Sequence, residues 1–473
     1  MLSNNYSRIV ISGLSGDSGK TIVSCGLLAS LREKGMDTSC FKKGPDYIDA
    51  AWLGIANGKQ ARNLDTYLMG FPVVKKSFLK NAYEKDISII EGNRGLFDGF
   101  DSNGTHSTAE LAKLLNSPVI IVQNISKVTR TAAASILGCK NIDPDLNIAG
   151  VILNQVAGER HGKVAKEAIE DLTGIPVVGS IPKLHDKFIL PSRHLGLITP
   201  EEYEQKFSII EDLKNIVEDY VDILKILEIA TKVPLIENAD DKDIEWEPNN
   251  GSSKVKIGYF KDQSFSFYYP ENLEMLESAG AELIPVSPTV NQDIEDLDAL
   301  YIGGGFPETN LTNLSMNQEI IDSLKRLVDV GFPVYAECGG LMYLAKDVEW
   351  KGKEYSLSDI LPMSIRMNNK PQGHGYCEAI VDKKNPFYKI CTIIKGHEFH
   401  YSNITKYEPG INSSLSMKRG VGCFNKRDGI IYKNVFASYI HIHALATPQW
   451  AEGMIRCAQD YRKLKNTKIL IEG

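Results

Sequence analysis

The feature that most constrains this chain is a strand, a glycine-rich turn and a helix near its N-terminus, in the segment RIVISGLSGDSGKTIVSCGLLASL. The pattern G-x-x-x-x-G-K-[ST] is not met strictly, because Leu14 stands at the first glycine position and Gly13 makes the loop one residue longer. Glycines let backbone N–H groups face phosphate oxygens, Lys20 neutralises phosphate charge, and Thr21 can hold Mg²⁺ at the helix N-terminus. The predicted nucleotide-binding residues are Gly13, Gly16, Ser18, Gly19, Lys20 and Thr21.

Short β-branched runs alternate with amphipathic helical stretches from Arg8 to about Leu227. The predicted strands are Arg8–Ser12, Thr38–Lys42, Ile87–Glu91, Val119–Asn124, Ile148–Asn154 and Val177–Ile181. The predicted helices are Lys20–Lys34, Ser107–Leu115, Val128–Cys139 and Gly162–Thr173. This alternation predicts an α/β fold with a doubly wound, mostly parallel sheet, whose ligands bind at the carboxyl ends of the strands.

Two charged segments are predicted to reach the same edge of the sheet as the phosphate loop. FKKGPDYID follows the second strand, and Glu91 ends the third strand within IIEG. Nucleotide-binding proteins hold Mg²⁺ with a carboxylate at such a strand end, directly or through water. The candidate metal ligands are therefore Thr21, Asp46 and Glu91. Lys43, Asp46 and Asp49 are candidates for contact with a second substrate, and Asp98 in GLFDG is a weaker one.

A break in the pattern divides the chain. Residues 236–254, IENADDKDIEWEPNNGSSK, are first acidic and then rich in Asn, Gly and Ser, with no apolar period. A new α/β pattern begins at Val255–Phe260 and continues through Leu300–Gly303 and Pro333–Glu337. With 473 residues, the chain is long enough for two large domains. The sequence predicts two doubly wound α/β domains, residues 1–235 and 255–473, joined by a linker at 236–254.

A cysteine marks the second candidate site. The run FPVYAECGGLM, residues 332–342, places Cys338 between a hydrophobic strand and a helix. This pattern predicts a sharp elbow that presents the thiol as a nucleophile, with the helix N-terminus stabilising a thiolate. A nucleophilic cysteine needs a base. Phe436–His443 is predicted to be one strand with two histidines on one face, of which we favour His441 and leave His443 open.

A run of three glycines begins at the end of the predicted strand Leu300–Gly303 and suits acyl transfer at Cys338. The backbone N–H groups of the GGG run, residues 303–305, are typical of an oxyanion hole for a tetrahedral acyl intermediate. The candidate donors are Gly304, Gly305 and Gly339. The segment GHEFHYS, residues 396–402, gathers polar groups that could bind substrate. We predict no zinc there, because His397 and His400 are three residues apart and no third ligand is evident.

Charge and cysteine usage exclude several functional classes. The formal net charge is −7 and the isoelectric point is near 5.8, which disfavours a nucleic-acid coat or a binder of anionic membranes. No apolar run is long enough to span a bilayer, and no signal peptide is visible. The eight cysteines include no CxxC pair, which predicts free thiols and a reduced, cytoplasmic location.

Nine motifs in register resemble the cobyrinic acid a,c-diamide synthase family over residues 8–450: SGLSGDSGKT, FKKGPDYID, ARNLDTY, EGNRGLFDG, PSRHLGL, GGGFPE, YAECGGLMYL, GHEFHYS and SYIHIH. The first half also resembles dethiobiotin synthetase and its P-loop relatives. The second half resembles class I glutamine amidotransferases of the cobyric acid synthase type. The resemblance thus implies an ATP-dependent synthetase domain and a glutaminase domain in one chain.

The resemblance also implies a reaction. L-Glutamine is hydrolysed at Cys338 with help from the histidine, and ammonia passes to the synthetase domain. There ATP and Mg²⁺ phosphorylate acetate carboxylates of a tetrapyrrole polycarboxylate, and ammonia displaces phosphate. The residues that the family motifs tie to substrate or to the acyl-phosphate site are Asp46, Tyr47, Ile48, Glu91 and Asp98, to which we add Lys43 and Asp49. A homodimer is one oligomeric state that the sequence allows.

The identity of the tetrapyrrole is the main open alternative. The chain has Asn93-Arg94 where the family carries Val-Met or Val-Arg, and an unusual stretch at residues 101–106 precedes Ser107. Cobyrinic acid is the expected substrate, and nickel sirohydrochlorin and siroheme are the alternatives. A P-loop switch or partition ATPase is an alternative of another class, although it has no use for a nucleophile elbow. A dethiobiotin-synthetase-like carboxylase would leave residues 255–450 unexplained.

Overall fold

A computed structural model describes residues 6–184, 190–193, 196–236 and 254–472. The chain forms two compact units, Met1–Asp243 and Ile244–Gly473, which are called the N-terminal and C-terminal units below. Most of the predicted linker, residues 237–253, lies outside the described residues, as do His194 and Leu195 of the PSRHLGL motif.

The N-terminal unit is built on a seven-stranded parallel sheet with strand order β3-β2-β4-β1-β5-β6-β7. Its strands are β1 (Arg8–Gly13), β2 (Thr38–Lys43), β3 (Arg62–Leu64), β4 (Ile87–Glu91), β5 (Val119–Asn124), β6 (Ile148–Val156) and β7 (Val177–Pro182), and β8 (Ser192–Arg193) pairs separately with β9 (Gly196–Leu197). Its helices are α1 (Lys20–Glu33), α2 (Tyr47–Asn57), α3 (Thr66–Met69), α4 (Phe71–Ala82), α5 (Thr108–Leu114), α6 (Arg130–Ile142), α7 (Glu159–Thr173), α8 (Lys206–Tyr220) and α9 (Ile223–Thr231).

The central strands of this sheet are apolar on both faces. Ile9, Val10 and Ile11 of β1 are fully buried, as expected for a parallel strand covered by helices on each side. The helices pack closely: a Cβ built on Gly26 of α1 would lie 2.4 Å from the backbone oxygen of Leu213 in α8. The doubly wound α/β prediction is confirmed. Because the strands are parallel, the loops after β1, β2 and β4 emerge at one edge, where the candidate residues lie.

The C-terminal unit contains a ten-stranded mixed sheet with strand order β11-β10-β12-β13-β22-β21-β20-β17-β18-β23, and a four-stranded sheet with order β15-β14-β16-β19. Its strands are β10 (Val255–Phe260), β11 (Ala281–Val286), β12 (Ala299–Ile302), β13 (Val334–Glu337), β14 (Ala345–Trp350), β15 (Lys353–Ser356), β16 (Leu361–Met367), β17 (Gly373–Val381), β18 (Ile393–His400), β19 (Ser402–Tyr407), β20 (Asn412–Arg419), β21 (Arg427–Tyr432), β22 (Val435–Ser438) and β23 (His441–Ile442). Its helices are α10 (Pro270–Ser278), α11 (Leu311–Met316), α12 (Gln318–Asp329), α13 (Gly339–Leu344) and α14 (Gln449–Glu472), with a 3₁₀ turn at Pro307–Thr309.

The α/β part of the C-terminal unit is the parallel half of its large sheet, β11 to β22. The other half is antiparallel, an extension that the sequence patterns did not predict. The prediction of a single strand over Phe436–His443 is wrong. β22 ends at Ser438 beside β13, and β23 begins at His441 on the far edge of the sheet, paired with β18. The chain changes neighbours at Tyr439 and Ile440.

None of the helices in the described part of the chain combines the length and the apolarity that crossing a membrane requires. All eight cysteines are free thiols, as predicted.

Candidate active sites

The predicted phosphate loop joins β1 to α1 in the N-terminal unit. Lys20 begins α1, and its ammonium folds back over the loop to donate to the backbone oxygen of Ser15 at 2.8 Å and to Ser18 Oγ at 3.3 Å. Burial lowers the pKa of Lys20, and the neighbouring charge of Lys42 adds to this effect. Among the described residues, no side chain donates or accepts a capping hydrogen bond at the start of α1. A helix N-terminus of this kind attracts phosphate.

Two glycines of the loop are required by their surroundings. A Cβ on Gly13 would overlap the Ser18 side chain, and Gly19 has a φ of +97° with no room for a Cβ beside Asn154. The amide of Asn154, at the end of β6, donates to the backbone oxygen of Ser18 at 2.9 Å. Asn154 thereby braces the loop, a role that the sequence patterns did not indicate. Gly16 is exposed and faces open space, so packing within the protein does not require a glycine there.

A buried charged cluster lies next to α1. Thr21 Oγ1 donates to Glu91 Oε1 at 3.0 Å. Lys42 Nζ donates to the same oxygen at 2.6 Å and to Asp49 Oδ2 at 2.5 Å. Burial alone would lower the pKa of Lys42, but the carboxylates of Asp49 and Glu91 outweigh it and raise that pKa. Sequence reasoning missed Lys42, which is only 1 % exposed, although a lysine at the end of a hydrophobic strand is a recognisable signal.

The cluster suits a divalent cation. Glu91 Oε2 is buried without a hydrogen-bond partner among the described residues, and burial raises the pKa of this carboxyl group. A hard cation beside it would supply the missing charge, with the Thr21 hydroxyl as a second oxygen ligand. Mg²⁺ typically takes one or two protein oxygens and completes its shell with phosphate and water. Accordingly, the described residues contain no group of three or more His, Cys, Asp or Glu side chains arranged for a metal.

The segment after β2 enters α2. Asp46 caps this helix, because its Oδ1 accepts a hydrogen bond from the Asp49 backbone N–H at 2.8 Å. Burial, together with the charge of Asp49, raises the pKa of Asp46 to about 6. Ile48 packs against the hydrophobic core, while Tyr47 is half-buried. Lys43 is buried, and burial lowers its pKa. This segment lies beside the cluster around Glu91, because Lys42 Nζ donates hydrogen bonds to both Asp49 and Glu91.

Asp98 has a different position from the other acidic candidates. It is exposed, and its Oδ2 accepts a hydrogen bond from the Gly95 N–H at 3.0 Å, which closes the turn after β4. The same turn contacts the phosphate loop, since Leu96 N donates to the backbone oxygen of Gly13 at 2.8 Å. Asp98 thus holds a turn that borders the loop.

In the C-terminal unit, Cys338 stands between β13 and α13 with φ 46° and ψ −96°. A left-handed φ on a residue other than glycine is strained, and such strain is concentrated at functional sites. The backbone is held from one side by a 2.7 Å hydrogen bond from Cys338 N to Ser438 O. The turn also requires Gly340, because a Cβ there would lie 2.5 Å from the backbone oxygen of Ile302. The strand, strained cysteine and helix form the predicted elbow.

Cys338 is 7 % exposed, and its Sγ lies 4.0 Å from the backbone oxygen of Phe399 on β18. Burial raises the pKa of this thiol, and the carboxylate of Glu308 raises it further. The backbone N–H of Gly339 at the start of α13 acts in the opposite direction and lowers this pKa, as the predicted helix N-terminus would, but burial is the larger influence. A protonated thiol depends on a neighbouring base to become a nucleophile.

His441 is held in a fixed position near this elbow. Its Nδ1 lies 3.6 Å from Glu337 Oε2, and its ring stacks on His397 with centroids 4.9 Å apart and planes at 20°. Its Cε1 occupies the space where a Cβ on Gly304 would stand. Burial lowers the pKa of His397 well below its usual range, so this stacking partner is neutral.

Glu337 is a residue that the sequence analysis missed. It is fully buried, and Tyr301 donates to its Oε2 at 3.2 Å while the Ile442 N–H approaches its Oε1 at 3.4 Å. Burial raises the pKa of Glu337, whereas His441 acts in the opposite direction. The available signal was a glutamate that ends a hydrophobic strand directly before the nucleophile. A carboxylate at Nδ1 orients an imidazole and stabilises its protonated form.

His443 lies in a separate arrangement. Its Nε2 is 3.6 Å from Glu271 Oε2 on α10, and its ring packs on Tyr269 with centroids 4.6 Å apart. These partners are different from those of His441. Of the two histidines, His441 is the one that shares Glu337 and Gly304 with the segments flanking Cys338.

The oxyanion candidates converge at the elbow. A Cβ on Gly339 would lie 3.1 Å from the backbone nitrogen of Gly305, which means that the two segments run in close contact. Gly305 has a φ of +155° and packs against the backbone of Ser264.

Glu398 in the GHEFHYS segment accepts hydrogen bonds from Val421 N at 2.5 Å and Gly422 N at 3.0 Å. Its role is to fix β18 beside the site.

Comparisons with known proteins address both units. Residues 9–198 match a family model described as a CobQ/CobB/MinD/ParA nucleotide binding domain, and residues 256–449 match one described as a CobB/CobQ-like glutamine amidotransferase domain. A protein of Magnetococcus marinus named "Cobyrinate a,c-diamide synthase" is 40% identical, with 95% of this chain and 96% of that protein covered. A protein of the same name from Archaeoglobus fulgidus is 39% identical, with 97% and 99% covered.

Proposed function

Because the chain belongs to the family of cobyrinate a,c-diamide synthases, we propose that it converts cobyrinic acid to the a,c-diamide, with glutamine as nitrogen donor and ATP as the source of activation. The likeness extends over nearly the whole length of this chain and of its relatives, so it includes both half-reactions. The observation that carries the proposal is the strained Cys338 elbow in the same chain as a phosphate loop.

The C-terminal unit performs the glutaminase half. His441 takes the Cys338 thiol proton as the sulfur attacks the glutamine carboxamide carbon, and the backbone N–H groups of Gly305 and Gly339 receive the oxyanion. The imidazolium returns the proton to the leaving nitrogen, so ammonia departs and a thioester remains. Water, deprotonated by the same histidine, then releases glutamate. Glu337 keeps the ring oriented throughout and balances its transient charge.

The N-terminal unit performs the synthetase half. A carboxylate oxygen is a poor leaving group, so an acetate side chain of the macrocycle first accepts the γ-phosphoryl group, and ammonia then displaces phosphate. Lys20 and the N–H groups of the loop bind the phosphates. Thr21 and Glu91 would hold Mg²⁺, which supplies charge neutralisation for the phosphates. Lys42 links Asp49 to Glu91, because its ammonium donates a hydrogen bond to a carboxylate oxygen of each.

The test separates the two halves by nitrogen source. Cys338→Ala is expected to abolish amide formation with glutamine and to retain it with ammonium chloride, measured by the mass of the product. Glu337→Gln is expected to lower glutamine hydrolysis about a hundredfold or more, again with ammonia-dependent synthesis retained. The exposed Cys391→Ala is the matched control and should behave like the unaltered chain. Equal glutamine-dependent rates in all four proteins would refute the proposal.

The same assay distinguishes the alternatives. Cobyrinic acid, nickel sirohydrochlorin and siroheme are offered side by side, and the substrate that gains two amide groups identifies the acceptor. A partition ATPase would hydrolyse ATP without forming any amide. The glutamine amidotransferase match over residues 256–449 disfavours that class, because such a switch needs no ammonia.

A further inference from the structure

Four rings form a cluster at the carboxyl edge of the N-terminal sheet, built by Tyr67, Phe71, Phe100 and His106, which we call the aromatic wall. Tyr67 stacks on Phe100 with centroids 5.0 Å apart and planes at 22°. His106 meets both rings edge-on, at 5.6 and 6.1 Å. It also stacks on Phe71 at 5.8 Å and 17°. The helices α3 and α4 after β3 and the loop after β4 thus meet through their aromatic side chains.

The wall is held in place but is not buried. His106 has a left-handed φ of 60°, its Nδ1 lies 2.9 Å from Thr66 Oγ1, and its N–H donates to Glu110 Oε2 at 2.5 Å. Phe71 is 39 % exposed, and the other three rings are half-buried. Strained backbone positions and partly exposed aromatic clusters are both more typical of binding surfaces than of ordinary protein surface. The wall combines the two features.

The wall adjoins the proposed acyl-phosphate site. Asn63, at the end of β3, donates through Nδ2 to the backbone oxygens of Gly44 and Asp46 at 2.8 and 2.9 Å. Two residues later, Asp65 accepts hydrogen bonds from Tyr67 N and Leu68 N, both at 2.9 Å. The segment that carries Tyr67 is therefore anchored to the loop that carries Asp46.

The same edge carries positive charge. Burial lowers the pKa of the Lys43 ammonium, the nearby charge of Asp65 raises it and that of Arg94 lowers it further, so Arg94 lies close enough to Lys43 for its charge to be felt there. Arg94 itself is exposed, with a left-handed φ of 51° in the loop after β4. An apolar wall next to a cationic rim matches a ligand with a broad apolar face and carboxylates around its edge.

We infer that the aromatic wall receives the face of the tetrapyrrole macrocycle, while Arg94 pairs with a peripheral carboxylate that is not being amidated. This inference rests on the proposed function and names the surface that binds the acceptor. The rings cover the apolar face of the macrocycle, and the cation fixes its rotation, so that one acetate group points to Asp46 and Glu91. An adenine base is the competing occupant, since it also stacks on aromatic rings.

The test uses the full chain and titrates cobyrinic acid through its visible absorption. Phe71→Ala and Arg94→Ala are each expected to weaken corrinoid binding about tenfold, because each removes one stacking or ionic contact. Tyr67→Ala should weaken it by as much, and Tyr67→Phe should restore it. Phe207→Ala is the matched control, since Phe207 is 68 % exposed on α8. Affinity for a non-hydrolysable ATP analogue should stay constant in every variant.

Each contrary outcome has a distinct meaning. Unchanged corrinoid affinity in Phe71→Ala and Tyr67→Ala would overturn the inference and leave the proposed function standing. A loss of affinity confined to the ATP analogue would overturn it in favour of the adenine base. If the unaltered chain binds no corrinoid but binds nickel sirohydrochlorin through the same residues, the inference stands and the proposed substrate falls.

Discussion

Replacing Gly304 by alanine is expected to disable glutamine hydrolysis and to spare amidation with ammonia. The new Cβ would stand 2.3 Å from His441 Cε1. Carbon atoms in contact keep about 3.5 Å apart, so the imidazole has to move by roughly 1 Å. The backbone of Gly304 itself does not lie in the left-handed region, so alanine causes no backbone strain there. The perturbation is therefore confined to the ring.

His441 cannot retreat freely from the added methyl group. Its ring is stacked on His397 at 4.9 Å, and its Nδ1 faces Glu337 at 3.6 Å, so a shift breaks one of these contacts. A misplacement of 1 Å at a catalytic group lowers the rate about a hundredfold. We expect kcat for glutamine hydrolysis to fall by that order, with a smaller effect on KM, because the change affects the base and leaves the thiol in place.

The assay follows glutamate release from glutamine and, separately, amide formation driven by ammonium chloride. Gly138→Ala in α6 is the matched control, because a Cβ there meets no atom within 4 Å. Full glutaminase activity in Gly304→Ala, with the fold intact, would refute the reasoning that the geometry of His441 limits this step. Loss of ammonia-dependent synthesis as well would instead indicate a defect in folding.

Two further predictions concern the N-terminal unit. Lys42→Met leaves the buried carboxylate of Glu91 and the half-buried one of Asp49 without their cation, so urea unfolding should show a loss of about 3–5 kcal/mol. Lys59→Met, which removes an exposed pair with Asp37, should change stability by less than about 0.5 kcal/mol. Asp46→Asn keeps the α2 cap but removes a carboxyl whose pKa burial raises to about 6. Ionising this group disfavours the folded state increasingly between about pH 4 and 6. The variant should therefore melt at a higher temperature than the unaltered chain at pH 7.5, with no such gain below pH 4, and it should form no amide.

Local patterns predicted the parts of the fold that depend on neighbours in sequence. The strands β1, β2 and β4 lie within one residue of their predicted bounds. β1 and β4 are short runs rich in isoleucine and valine that a glycine and a glutamate close, and β2 ends at a pair of lysines. The elbow at Cys338 was predictable for the same reason. A strand, a nucleophile and two glycines leave few backbone conformations open, and the left-handed φ of Cys338 is one of them.

The antiparallel half of the C-terminal sheet was not predictable in this way. Some of its strands pair over long separations: the paired residues of β18 and β23 are about 45 positions apart in the sequence. Because His441 pairs with a strand so far away in sequence, local patterns predicted a single strand over Phe436–His443. Nothing local indicates that the chain leaves one neighbour at Ser438 and joins another at His441.

The amino-acid sequence alone indicated which chemistry to expect, since Lys20, Thr21 and Cys338 lie in local motifs that are typical of phosphate binding and of a nucleophile elbow. The tertiary structure decided how those groups are supported. Lys42 bonded to Glu91 and Asp49, and Glu337 beside His441, depend on buried side chains from separate strands. Such charges are stable away from water only when the fold brings their partners within reach, and that placement is a property of packing, which no local pattern encodes.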